Sequence, residues 1–160
     1  MILSTHAVVG GAIASLMPGH PALAFAVGAA SHFAIDAIPH VDYPLYSITV
    51  KRSAPSAMIF NWLLVQDLGL IALDACVGFA LTLWLYASPG ATTAVLAGAL
   101  GAMLPDPLQF VQKLYPREPL RSLQRFHVWI HTKRRLNWPL GVSSQLSFVA
   151  LVIGLRAILA

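Results

Sequence analysis

An all-α, polytopic transmembrane bundle of about five membrane helices plus one interfacial amphipathic helix is the fold class this sequence predicts, on three observations. Apolar side chains make up 58% of the 160 residues and charged ones only 10%, and the mean hydropathy of +0.72 is far above that of an ordinary soluble domain. The apolar residues fall in runs parted by Pro and Gly turns, without the two-residue alternation of half-buried strands. The cations are gathered too: nine of the ten Lys and Arg lie at Lys51–Arg52 or between Lys113 and Arg135. No linker or low-complexity stretch divides the chain, so residues 1–160 are expected to form a single integral membrane domain.

A first apolar helix is expected over about residues 2–17, with Ser4 or Thr5 available as its cap and His6 in its first turn. Pro18-Gly19-His20-Pro21 reads as a turn, and a second helix follows over about 22–38 to complete a hairpin. Ala22-Leu23-Ala24 resembles a secretory cleavage site, but no Lys or Arg precedes the apolar run, and the segment reads as retained. Pro39, Pro44 and Pro55 break the next stretch into a loop. About 57–87 is the longest apolar run, long enough at ~1.5 Å per residue to cross a bilayer. Ser88-Pro89-Gly90 turns the chain into a short Ala- and Gly-rich helix over about 91–104, which Pro105 and Pro107 end, placing Asp106 at a helix exit. Between about 108 and 138, arginines alternate with Leu120, Leu123, Phe126, Trp129 and Ile130 as in a helix lying in the membrane interface. A fifth apolar span over about 139–159 closes the chain. Ala24, Gly28, Ala29 and Asp36 match Ala94, Gly98, Ala99 and Asp106 at a constant offset, a faint repeat whose small residues would let the second and fourth helices approach closely.

The positive-inside rule places both basic segments in the cytoplasm of a bacterial cell. Counting crossings then puts the N-terminus on the same side of the cytoplasmic membrane and the C-terminus outside. That topology gathers His6, His32, Asp36, His40, Asp42, Asp106, His127 and His131 at or near one face, with His20 alone among the histidines on the other. His32 and Asp36 stand four apart on one helix face, which is ligand spacing. Pro39 moves His40 and Asp42 onto the exit loop. Asp67 and Asp74 lie deeper and share a face; a carboxylate facing lipid is costly, so that face should turn toward the bundle, either as structural polar contacts or in support of the site. The bland alternatives are solvated helix ends for the His and Asp residues and interfacial anchoring for His127 and His131 beside Trp129.

Imidazole with carboxylate suits a divalent metal, zinc first and manganese or iron if carboxylates dominate, and eight such groups exceed what one ion needs, so one or two ions are expected. His6, His32, Asp36, Asp106, His127 and His131 are the expected metal ligands. His40 and Asp42 are the expected catalytic base or a second ion's ligands, and Arg121 and Arg125, four apart, are the expected phosphate or head-group contacts.

Ser4-Thr5-His6 before a small-residue helix, Leu104-Pro105-Asp106 at a helix end and His127-Val-Trp-Ile-His131-Thr together resemble the predicted membrane-bound metal-dependent hydrolases. The His32-x-x-x-Asp36 pair is similar to a ligand pair of zinc-dependent phospholipase C enzymes. The first resemblance implies a multi-span membrane protein with a hydrolytic divalent-metal centre, and ligand roles for His6, Asp106, His127 and His131. The chain departs from that pattern in the one-turn spacing of its late histidines and in Pro107-Leu108 after Asp106.

The leading functional expectation is a metal-dependent hydrolase acting on a lipid or lipid-linked phosphoester at the cytoplasmic leaflet, with membrane lipid as its partner. The alternative is a non-enzymatic protein, either a metal or proton translocator in which Asp67 and Asp74 act as relay groups, or a structural subunit. Nucleic-acid binding is set aside because the basic residues follow topology and no groove-reading motif is present. The lone Cys76 excludes an internal disulfide and argues against a thiolate cage.

Overall fold

The computed structural model describes residues 1–46 and 62–159 and is all-helical, with no strand among the described residues. In chain order the helices are α1 (Leu3–Ala14), α2 (Pro21–Asp36), α3 (Trp62–Tyr86), α4 (Thr92–Met103), α5 (Pro105–Leu114), α6 (Leu120–Ile130) and α7 (Trp138–Leu159). Lys51, Arg52, Pro55 and the expected start of the third helix at 57 lie outside the described residues.

Two helices, α3 with 25 residues and α7 with 22, are long and apolar enough to cross a membrane. The pair α4 and α5, bent by 45° at its break, makes a third if it is taken as one span. This is fewer than the five expected, and length is the reason. The 12 residues of α1 and 16 of α2 rise only roughly 18 and 24 Å against a hydrocarbon core of about 30 Å. The apolarity of α1 serves burial inside the bundle, whereas α2 buries one face and leaves Leu23 and Phe25 exposed. Leu3, Ala7, Val8, Val9, Ala12 and Ala14 of α1 are all buried, so α1 is a central post wrapped by α2, α3, α4 and α7.

Small residues set how closely the helices approach. A Cβ added at Gly28 would meet the Gly98 carbonyl oxygen at 2.2 Å, and one at Gly10 would meet the same oxygen at 2.5 Å. At Gly101 it would meet the Phe25 carbonyl at 2.2 Å. Backbone therefore packs on backbone where α1, α2 and α4 cross. Ala24 and Ala94 share one core cluster, and His32 bonds Ala102 seventy positions on. The offset seen in the sequence is thus a real pairing: α2 and α4 run in the same direction and end together. Gly78 against Ser4 and Gly11 against Thr82 likewise set α3 alongside α1 in the same direction.

The expected interfacial segment is two helices, because Pro116 and Pro119 interrupt it. Asp106 follows the end of α4 at Met103 and already belongs to the next helix. Pro105 opens α5 at its first position, and Asp106 sits in its first turn, where the helix dipole favours a carboxylate. The expected loop after α2 is present: the chain from 37 to 46 carries no helix, as Pro39 requires.

Gly28→Ala is expected to destabilise the detergent-solubilised protein by roughly 1–3 kcal/mol, since the added methyl meets backbone. Gly154→Ala, where nothing lies within 4 Å of the added atom, is expected to be neutral or slightly stabilising. Unfolding followed by tryptophan fluorescence compares the two.

Candidate metal centre

The site forms where α1 begins and α2 and α4 end, with α6 and the two adjoining loops closing over it. Its centre is Asp36, in the last turn of α2 and 1% exposed. Five imidazoles turn their Nε2 atoms toward this carboxylate. On Oδ1 are His6 at 3.2 Å and His40 at 3.9 Å. On Oδ2 are His127 at 3.1 Å, His32 at 3.3 Å and His131 at 3.8 Å. Asp106 Oδ1 completes the group at 3.6 Å from His32 Nε2 and 4.0 Å from His127 Nε2.

Backbone carbonyls set the direction of three of these rings. A carbonyl can only accept, so His32 Nδ1–H donates to Ala102 O at 2.8 Å, His40 Nδ1–H to Ile38 O at 2.7 Å and His131 Nδ1–H to Thr132 O at 3.0 Å. In the neutral ring each bond leaves a lone pair on Nε2, aimed at Asp36, which is how a protein orients histidine ligands. Lone pairs facing a carboxylate at such distances need a proton or a cation between them, and at His40 the Met1 amine, 2.9 Å from Nε2 and 2.7 Å from Asp36 Oδ1, supplies it.

His6 and His127 add to that demand. His6 is stacked on His32 with centroids 4.0 Å apart, and neither of its nitrogens makes a hydrogen bond among the described residues; its 3.2 Å approach to Asp36 lacks hydrogen-bond geometry. His127 Nδ1 is likewise buried without a partner. Unpaired buried polar atoms are costly, and here they border one cluster.

Two sets of these groups can each hold a metal ion: His32, Asp36, Asp106 and His127, and Asp36, His40 and His131, with the ligand atoms of each set within 4.8 Å of one another. Neighbouring ligands of a tetrahedral zinc at ~2.0–2.1 Å stand roughly 3.3 Å apart. The 3.1, 3.3, 3.4 and 3.6 Å separations within the first set fit that spacing, the 4.0 Å between His127 and Asp106 is wider, and Asp36 belongs to both sets. The donors are nitrogen and oxygen only, with Cys76 exposed and outside both.

The sequence missed the groups that fasten the cluster. Gln109 of α5 donates to Asp106 Oδ1 at 2.9 Å and is itself held by Gln124 of α6 at 3.0 Å. Gln145 of α7, 4% exposed, donates to Val41 O at 3.0 Å. The Met1 α-amino nitrogen reaches Asp36 Oδ1 at 2.7 Å and His40 Nε2 at 2.9 Å. Phe33 sets its edge against Phe126 and His127, which docks α6 on α2. A glutamine within an apolar run, such as Gln145, was the one available signal.

The remaining candidates divide. Asp42 joins the cluster through His40, 2.8 Å away; burial alone would raise its carboxyl, but the His40 hydrogen bond and the nearby Met1 amine hold it well below the usual carboxylate range. Asp67 and Asp74 lie outside the metal-ligand sets and hold backbone. Asp74 accepts from Ser4 N–H at 2.9 Å and from the Tyr43 hydroxyl at 2.6 Å, while that hydroxyl accepts from Leu3 N–H at 2.7 Å. Two of the open donors at the start of α1, Leu3 and Ser4, are satisfied this way. Burial, then the bond to Asp74, pushes the Tyr43 phenol up. Asp67 accepts from Tyr46 N–H with both oxygens, at 3.0 and 3.1 Å. The shared face of the two carboxylates is therefore the track along which the 37–46 loop is laid. Arg121 and Arg125 are exposed on α6, with Glu118 in their field, away from the buried face that carries His127.

Compared with protein-family models, curated proteins and solved structures, the chain matches none.

Asp74→Ala is expected to cost about 1–3 kcal/mol by leaving Ser4 N–H and the Tyr43 hydroxyl unpaired. Asp74→Asn keeps an acceptor oxygen and is expected to cost less than half as much. Denaturant unfolding of the two variants in the same detergent measures the difference.

Proposed function

We propose that this chain is a membrane-embedded, metal-dependent hydrolase that cleaves a lipid or lipid-linked phosphoester at the cytoplasmic leaflet of a bacterial membrane. The observation that carries the reading is the set of imidazole Nε2 atoms aimed at Asp36, three of them by backbone carbonyls. We assign zinc to His32, Asp36, Asp106 and His127, with His6 stacked behind His32, and a second ion to Asp36, His40 and His131, where it would displace the Met1 amine from Asp36 and His40. Zinc is favoured over manganese or iron because carboxylates do not outnumber imidazoles in either set. A divalent ion so held brings the pKa of a water toward neutrality and polarises a phosphoryl oxygen.

The chain's own groups supply the rest. Asp42 is ionised and stands at the rim, and it is the acceptor we assign for the proton of the attacking water. The water oxygen bonds to phosphorus, the ester P–O bond breaks, and the proton held by Asp42 returns to the departing alkoxide. Gln109 keeps Asp106 turned inward. The large exposed side chains Trp129 on α6 and Trp138 at the start of α7 suit a bilayer interface. The resemblance to predicted membrane-bound hydrolases belongs to the same proposal. Translocation is the weaker reading, since Asp67 and Asp74 are engaged in holding backbone.

Purified protein is expected to retain at least about one equivalent of zinc and to hydrolyse phosphoester lipids in a chelator-sensitive way. Asp36→Asn is expected to lose the metal and to lower the rate by about 100-fold or more. Metal analysis with a phosphate-release assay checks both, and wild-type protein that binds no stoichiometric metal overturns the proposal.

A further inference from the structure

The cluster is not closed on every side. His6, His32, Asp36, His40 and His127 are at most 2% exposed, whereas Asp42 and Asp106 are each 26% and His131 27% exposed. Anything entering comes past those three. Across that opening runs the segment from His131 to Leu136, pinned to the 36–40 backbone at two points. Thr132 N–H donates to Asp36 O at 2.8 Å, and Leu136 N–H donates to His40 O at 3.2 Å. His40 and Arg135 form an isolated parallel bridge. Between the pins lie Lys133, Arg134 and Arg135.

We propose that this strap is the anion-recognition element of the site, and that Arg135 is the side chain that takes a phosphate oxygen of the substrate. The inference deepens the metal-hydrolase reading and rests on it, because Asp36, Asp42 and Asp106 would repel a phosphate unless cations offset them. Arg135 Nη2 lies 3.6 Å from Asp42 Oδ2 and its side chain is 78% exposed. That contact is too long for a hydrogen bond, so the five guanidinium donors remain available for a forked grip on a phosphate. Its backbone is fixed to the chain that carries Asp36 and His40, so a phosphate held there is held in register with the cluster. Arg121 and Arg125 have no such connection.

The test is equilibrium binding of inorganic phosphate and of dihexanoyl phosphatidic acid to zinc-loaded protein in detergent, with the metal content of each sample measured first. Arg135→Gln is expected to keep the metal and weaken both ligands by about tenfold or more, with Arg135→Lys between it and wild type. The double variant R121Q/R125Q is expected to bind as wild type does. Tighter binding of phosphatidic acid than of phosphate assigns the anion to a lipid head group; equal binding assigns it to a soluble ester. Metal present but binding unchanged in Arg135→Gln overturns this inference alone. Wild-type protein without metal overturns the hydrolase reading, and this one falls with it.

Discussion

A single carboxylate, Asp36, buried at the end of an apolar helix and faced by five imidazoles, is the constraint on which the rest of the structure depends. Withdrawing so many polar groups from water is unfavourable unless each finds a partner. Carbonyls at Ile38, Ala102 and Thr132 take the outer nitrogens of three rings. The inner nitrogens share one small space around Asp36. These groups can hold a metal ion, with nitrogen and oxygen as the donors.

The helix packing follows from the need to assemble that space from distant parts of the chain. His32 reaches the Ala102 carbonyl because α2 and α4 touch through Gly28, Gly98 and Gly101, with no side chains between them. His6 reaches Asp36 because α1 is short and starts at the site, its first amides held by Asp74 and Tyr43. Gly141 against Val41 lets α7 pass close to the loop that carries His40 and Asp42. The long apolar helices α3 and α7 then form the outer frame of a core whose central members need not reach across a bilayer.

Much of this was legible in the sequence, and the reasons for success and failure are physical. The i, i+4 spacing of His32 and Asp36, the break at Pro39 and the convergence of eight His and Asp residues could be read because local geometry and hydropathy constrain them. The parallel pairing of α2 with α4 left a trace in the offset between Gly28 and Gly98. The number of spans was misjudged because apolar composition does not distinguish a helix packed among helices, such as α1, from one facing lipid. Asp106 was placed on an exit because proline ends one helix and equally begins another. The roles of Gln109, Gln145 and Asp74 depend on which partner each side chain meets in space, which no spacing along the chain encodes.

The central claim is that imidazole nitrogens and Asp carboxylates, gathered around Asp36, bind a metal directly. X-ray absorption at the zinc edge of the loaded, detergent-solubilised protein tests it. The account predicts a nitrogen and oxygen shell at about 2.0–2.1 Å, with no sulfur and with the outer-shell scattering of at least two imidazole rings. A shell of water oxygens without imidazole scattering would contradict it.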